Sequence, residues 1–165
     1  MSDAYRIVPT TEDRIEGFHA VLDAVARERR YLALLEAPPL EETRTFIRKL
    51  LQTGAQHLAL DEAGHVVGWC DVARWQRPGF THVGSLGMGL AAHARGLGLG
   101  RRLAEASIGA VRERGVERIE LEVFASNTAG CALYERLGFV TEGVKRRARF
   151  LDGRYDDIVL MALMS

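Results

Sequence analysis

Two rhythms of apolar residues divide the chain. Tyr5 to Val8 reads as a short strand stopped by Pro9. Thr10 or Thr11 can cap the next segment, with Asp13 in its first turn. Phe18, Val21, Leu22 and Val25 then recur at helical spacing and predict a helix to about Tyr31. Pro38-Pro39 breaks the chain, and a second helix carries Thr43, Phe46, Ile47, Leu50 and Leu51 on one face, ending near Gly54. The rhythm then shortens. Gln56 to Asp61 and Val66 to Val72 read as strands around the turn Glu62-Ala63-Gly64-His65, and His82 to Leu90 as another after the Pro78-Gly79 loop. A glycine-rich stretch leads into a helix from about Gly100 to Arg114, closed by Gly115. Val116 to Phe124 is a strand, Asn127 to Leu137 a helix closed by Gly138, and two last strands flank the hairpin dipeptide Asp152-Gly153. The order is β-α-α-β-β-β-α-β-α-β-β. Antiparallel strands followed by crossovers argue an α/β class, with a mixed sheet and helices on both faces.

Composition narrows the function classes. With 165 residues the chain fits one domain over 1–165, and 47% hydrophobic residues suffice for one core. Lys plus Arg equals Asp plus Glu, 22 each, so no global charge draws nucleic acid or an acidic membrane. Lys145-Arg146-Arg147 reads as a solvated face. Cys70 and Cys131 form neither a metal-ligand spacing nor a disulfide framework, and no metal is expected. The start lacks a signal-peptide apolar core, and no run approaches the ~20 apolar residues that cross a bilayer. A reducing, cytoplasmic setting is the expectation.

Arg95-Gly96-Leu97-Gly98-Leu99-Gly100-Arg101-Arg102-Leu103 lies between a strand and a helix. Glycines there let the backbone turn tightly and approach a ligand. The helix start offers unpaired N–H groups and the positive end of a dipole, which suits phosphate. Arg101 and Arg102 in the first turn are unfavourable unless an anion is near. A P-loop needs Gly-Lys-Ser/Thr after the last glycine, and the Arg pair stands there instead. A dinucleotide fingerprint fails from Gly96 and from Gly98, because Leu99 or Leu103 takes its third glycine position. A flexible surface turn is the competing reading.

Asn127 can cap the later helix, with Gly130, Cys131 and Tyr134 on its face and Leu133 and Leu137 on another that can pack on the sheet. A glycine inside a helix costs roughly 1 kcal/mol against alanine. The bare spot beside Tyr134 therefore points to something packed against that face. Tyr134 can offer that ligand a proton or hydrogen bond; a half-buried structural tyrosine is the bland reading.

Together the two segments resemble the GNAT superfamily of N-acetyltransferases. The loop signature Arg/Gln-x-x-Gly-x-Gly/Ala appears as Arg95-Gly96-Leu97-Gly98-Leu99-Gly100. The later signature appears as Asn127-Thr128-Ala129-Gly130-Cys131-Ala132-Leu133-Tyr134-Glu135-Arg136-Leu137-Gly138-Phe139, with Gly130 where the family usually has alanine. The element order matches too, so the resemblance covers nearly the whole chain. Leu86-Gly87-Met88-Gly89-Leu90, Glu142-Gly143 and Asp152-Gly153-Arg154-Tyr155-x-Asp157 with Met161 are most similar to amino-acid and protein N-terminal acetyltransferases.

The resemblance implies a splayed, mostly antiparallel central sheet flanked by helices, and acetyl-CoA as acyl donor in the gap between 86–90 and 116–124. The pantetheine arm would meet backbone groups of Met88 and Leu90, with Asn127 steadying its end. The diphosphate would sit on amides from Gly96 through Gly98, Leu99 and Gly100 to Arg101, with Arg95 opening the loop. It implies direct transfer to a primary amine, belonging to an amino acid, a peptide or protein N-terminus, or a small molecule. The Leu90 N–H would stabilise the oxyanion, and Tyr134 would protonate the leaving thiolate. A non-catalytic acyl-CoA-binding or sensor domain is the alternative, and a homodimer is compatible with the family. Asp71, Glu122 and His82 are the candidate bases. Cys131 is expected to face the coenzyme A site as a small packing residue. Arg27 to Tyr31 and Glu36 are candidates to rim the acceptor site, Trp69 reads as core, and Trp75 as a pocket residue.

Overall fold

The computed structural model describes residues 4–165; residues 1–3, the start of the span expected as one domain, lie outside the described residues. The elements are β1 (Arg6–Pro9), α1 (Ile15–Arg27), α2 (Leu40–Thr53), β2 (Ala55–Leu60), β3 (Val66–Arg74), β4 (Val83–Leu90), α3 (Leu99–Glu113), β5 (Arg118–Phe124), α4 (Thr128–Arg136), β6 (Val140–Leu151) and β7 (Arg154–Met164). This is the expected order. The strands form one seven-stranded sheet in the order β1-β2-β3-β4-β5-β7-β6, and every pairing is antiparallel except β4 with β5.

Strand alternation sends side chains to two faces, each with its own core. On one face Cys70, Val72, Ile119, Leu121 and Met161 pack under α3, which contributes Leu99, Leu103, Ile108 and Val111. Ser107 of α3 is fully buried and donates to the Cys70 carbonyl at 2.8 Å, tying helix to sheet. On the other face Leu58, Leu60 and Trp69 meet Ile15, Phe18, Val21 and Val25 of α1 and Ile47 of α2. Trp69 is thus core, as expected, in edge contact with Phe18 at 5.5 Å. Among the described residues α1 and α2 pack mainly over β2, β3 and β4 on this face, beside rather than upon the β5-β7-β6 half.

Two element ends and one helix face are among the departures from expectation. α1 ends at Arg27 rather than near Tyr31, because Arg29 takes a left-handed conformation (φ 62°) and turns the chain. β5 starts at Arg118 rather than Val116, since Glu117 and Arg118 first donate to the His82 carbonyl. Phe46, expected on the buried face of α2, is 52% exposed; Thr43, Ile47 and Leu50 hold that face.

Gly89 of β4 is required by packing. A Cβ there would lie 2.3 Å from Trp69 Cη2. Gly89→Ala should therefore lower stability by about 1–3 kcal/mol through overpacking. Urea unfolding measures it, and an unchanged midpoint would contradict this packing.

Candidate active site

The sheet opens where its one parallel pair gives out. β4 and β5 are in register only from Val83–Ser85 against Arg118–Glu120. Beyond this β5 stays with β7 as far as Phe124, while β4 stays with β3 as far as Leu90. The unpaired edge of β4 carries defined backbone groups. Ala91 N–H donates to Val67 O at 2.8 Å, next to the register pair Gly68–Leu90. Bonded and non-bonded pairs alternate in an antiparallel ladder, so Met88 and Leu90 turn their N–H and C=O away from β3, into the gap.

A cleft of about 440 Å³ fills that gap. Its walls include Met88 and Leu90 from β4, the loop Arg95-Gly96 with Gly98, and Leu99, Gly100 and Arg101 from α3. Asn127, Gly130, Leu133 and Tyr134 close it from the α4 side. Gly96 and Gly98 have φ of 75° and 79°, which a side chain would strain. The first helical bond here is Arg102 N–H to Gly98 O, so the amides of Leu99, Gly100 and Arg101 precede it and point out of the helix end. A Cβ on Gly100 would lie 3.0 Å from Leu133 Cδ2 and 3.3 Å from Met88 Cε, so α3, α4 and β4 meet closely at that glycine. All nine expected donor-site residues, and Tyr134, line this one cleft.

The arginines are arranged less simply. Arg95 lines the cleft, but its guanidinium is held on three sides. It forms a two-pronged pair with Glu28 (2.9 and 2.5 Å), donates Nε to the Leu90 carbonyl at 3.1 Å, and lies over the Tyr31 ring at 4.5 Å. Arg95 holds the Glu28 carboxyl below its usual range. Arg101 pairs with Glu105 one turn on, at 2.8 Å. Next to Glu28, Arg29 makes a two-pronged pair with Asp152 in the β6–β7 turn, at 2.9 and 3.0 Å. The segment after α1 is thus fastened to the glycine loop on one side and to the last hairpin on the other. Of the expected rim residues, Tyr31 lines the cleft, whereas Arg27 pairs with Asp23 and Glu36.

A second chamber of about 190 Å³ adjoins the cleft and shares Tyr31, Met88, Asn127 and Tyr134 with it. Tyr134 therefore stands at the junction. It is 8% exposed, its ring packs edge-on against Phe139 at 5.7 Å, and burial pushes its hydroxyl above the ordinary value, so it is a neutral phenol at neutral pH. Asn127 caps α4 as expected, its Oδ1 accepting from Gly130 N–H at 2.9 Å.

Gly130 lines the cleft, as the bare spot suggested, and the structure adds a second reason for a glycine there. A Cβ there would lie 2.6 Å from Asn127 Nδ2, so the bare spot accommodates the capping carboxamide. Cys131 does not line the cleft; its Sγ faces the Phe124 carbonyl at 4.0 Å. Leu133 lines the cleft instead of packing on the sheet.

The candidate bases separate by position. Glu122 lines the 190 Å³ chamber, in a 2.8 Å pair with Lys145 Nζ. His82 precedes β4, is exposed, and lines neither space. Asp71 lines neither space. It accepts from Gln56 Nε2 at 3.4 Å, and burial pushes its carboxyl up to about 7. Among the described residues no cluster of three or more His, Cys, Asp or Glu could hold a metal ion, and no helix is long and apolar enough to cross a membrane.

Comparison with known proteins agrees with this geometry. Residues 18–139 match the family model described as Acetyltransferase (GNAT) family. The [ribosomal protein bS18]-alanine N-acetyltransferase of Escherichia coli (strain K12) is 50% identical over 68 residues, 40% of this chain and 45% of that protein. The L-amino acid N-acetyltransferase of the same strain is 27% identical over 146 residues, 88% of this chain and 90% of that protein. The first curated relatives are matched over only 27–45% of their own length, so the chain spans less than half of each. In structure, a GNAT-family acetyltransferase from Streptococcus pneumoniae superposes with a TM-score of 0.90 at 26% identity, covering 98% of this chain and 99% of that one. The chain belongs to the GNAT acetyltransferase family.

Proposed function

We propose that this chain is an acetyl-CoA-dependent N-acetyltransferase, one domain over 1–165, that moves an acetyl group directly to a primary amine in a ternary complex. The observation that carries the reading is Tyr134 at the meeting of two spaces, one with a main-chain anion cradle and an unpaired strand edge. The donor set fits coenzyme A. The amides from Gly96 to Arg101 supply donors for a diphosphate at a helix start. Backbone groups of Met88 and Leu90 can pair with the amides of a pantetheine arm, and Asn127 borders its far end. Arg95 contributes through the loop backbone it opens.

The chemistry then follows from the chamber. An amine enters protonated and must lose a proton before attack, because its free pKa lies well above neutral. Glu122, the carboxylate bordering the chamber, takes that proton directly or through one water. The amine nitrogen bonds to the thioester carbon as the carbon–sulfur bond breaks. Leu90 N–H donates to the carbonyl oxygen while charge builds there. Tyr134 gives its proton to the departing sulfur, and the second proton shed by the new amide nitrogen returns through solvent to restore the phenol. The same reading places the enzyme in the cytoplasm and is compatible with a homodimer.

The test is thiol release from acetyl-CoA with a panel of primary amines, beside calorimetry of acetyl-CoA binding. Amine-dependent release is expected. Tight binding without release from any amine would make the chain an acyl-CoA sensor instead.

A further inference from the structure

The 190 Å³ chamber opens onto a larger trough of about 550 Å³, which shares Leu86 and Glu122 with it. The trough runs along β5, β7 and β6, beyond the part of the sheet that α1 and α2 mainly cover among the described residues. Ser85, Glu120, Glu142, Lys145 and Leu160 lie along it, and Trp75 stands at its edge. The Trp75 indole is fixed, with Nε1 donating to Ser85 Oγ at 3.0 Å and the ring stacked on Phe80 at 5.6 Å. The reacting end is small, then, and continues into a larger space.

The charges of the two spaces restrict what enters. A free amino acid carries a carboxylate two bonds from its amine. Enclosing that anion needs a cation or several donors. Among the described residues no Lys or Arg lines the chamber. The two cations of the trough are already engaged: Arg118 with both Glu120 and Glu142, and Lys145 with Glu122. Two further arginines lie nearby but line neither space. Arg30 sits on the Tyr31 ring at 5.2 Å. Arg149 sits on the Phe124 ring at 3.7 Å and pairs with Asp156, and its one unpartnered nitrogen is buried.

Resting on the transferase reading above, we infer that the acceptor is a peptide amino terminus, whose first residue occupies the chamber and whose next residues lie in the trough past Trp75. A peptide has an uncharged amide where the amino acid has its carboxylate, which removes the unpaired anion. The trough of about 550 Å³ then has room for the residues that follow the first.

The experiment compares alanine, alaninamide, trialanine amide and spermidine as acceptors by thiol release, and measures their binding to the coenzyme A-loaded protein by calorimetry. Trialanine amide should exceed alanine in kcat/KM by about 100-fold, the scale set by the desolvation cost of one buried polar group left unpaired. Trp75→Ala should raise KM for trialanine amide about tenfold and leave KM for alaninamide unchanged, since in our account only the longer ligand reaches the indole. Alanine or spermidine turned over as well as the tripeptide overturns the inference. If nothing is acetylated but the tripeptide binds more tightly than alanine, the peptide class stands and the transferase reading fails. If neither binds, the inference falls.

Discussion

Tyr134→Phe should lower kcat by about 100-fold or more, the usual worth of a positioned proton donor, while acetyl-CoA affinity stays within about twofold. The substitution removes one oxygen and keeps the ring against Phe139, so the fold and the walls of the cleft persist. Among the described residues no hydrogen bond engages that hydroxyl, so its loss leaves no protein partner stranded. What disappears is a proton at the junction of the two spaces. The direction of the pKa shift supports the role. Burial raises the phenol above its ordinary value, so it holds its proton through neutral and mildly alkaline pH, and its ionisation should not limit the rate on the alkaline side below about pH 10. Steady-state thiol release with calorimetry of acetyl-CoA checks both halves. An undiminished kcat would remove Tyr134 from the chemistry.

Breaking the Glu28–Arg95 tie should have the second largest effect, and it should fall on the acceptor. Arg95 opens the glycine loop, yet its guanidinium joins Glu28, the Leu90 carbonyl and the face of Tyr31. Tyr31 lines both the donor cleft and the chamber. Arg95→Met frees Tyr31 and the carbonyl beside the proposed oxyanion donor. Charge-assisted, two-pronged pairs are among the stronger hydrogen bonds, so acceptor kcat/KM should drop about tenfold or more. Glu28→Gln, which is remote from any diphosphate, should reproduce most of that loss, and the double variant should be little worse than Arg95→Met alone. Acetyl-CoA affinity should change less than acceptor KM in all three. A diphosphate ligand would behave oppositely: Arg95→Met would weaken acetyl-CoA binding tenfold or more and Glu28→Gln would be silent.

These two predictions mark the boundary of what the chain discloses before it folds. Local signals came through. Alternation and turn dipeptides located all seven strands, the glycines at 96 and 98 marked a backbone that needs positive φ, and Asn127 announced a helix cap. Each is a property of residues within one turn or one hairpin. The missed features depend on partners far along the chain. α1 stops short of Tyr31 because Arg29, in a left-handed turn without glycine, is held by Asp152, 123 positions on. The Arg95 guanidinium is taken up by Glu28, 67 positions earlier. Gly130 does border the cleft, but it also makes room for the carboxamide three residues before it, a rotamer effect that spacing does not encode. Among the three candidate bases Glu122 is set apart from His82 and Asp71 by position only once β4 and β5 diverge, since that divergence decides which strand residues border the chamber.

The central claim is that main-chain donors at the start of α3 hold the diphosphate of coenzyme A. An amide NMR titration addresses it directly. As coenzyme A is added, the Gly96, Gly98 and Gly100 N–H resonances should shift together and saturate, and pantetheine, which lacks the diphosphate, should leave them in place. Resonances there that stay fixed while coenzyme A binds elsewhere, or that move equally with pantetheine, would contradict the account.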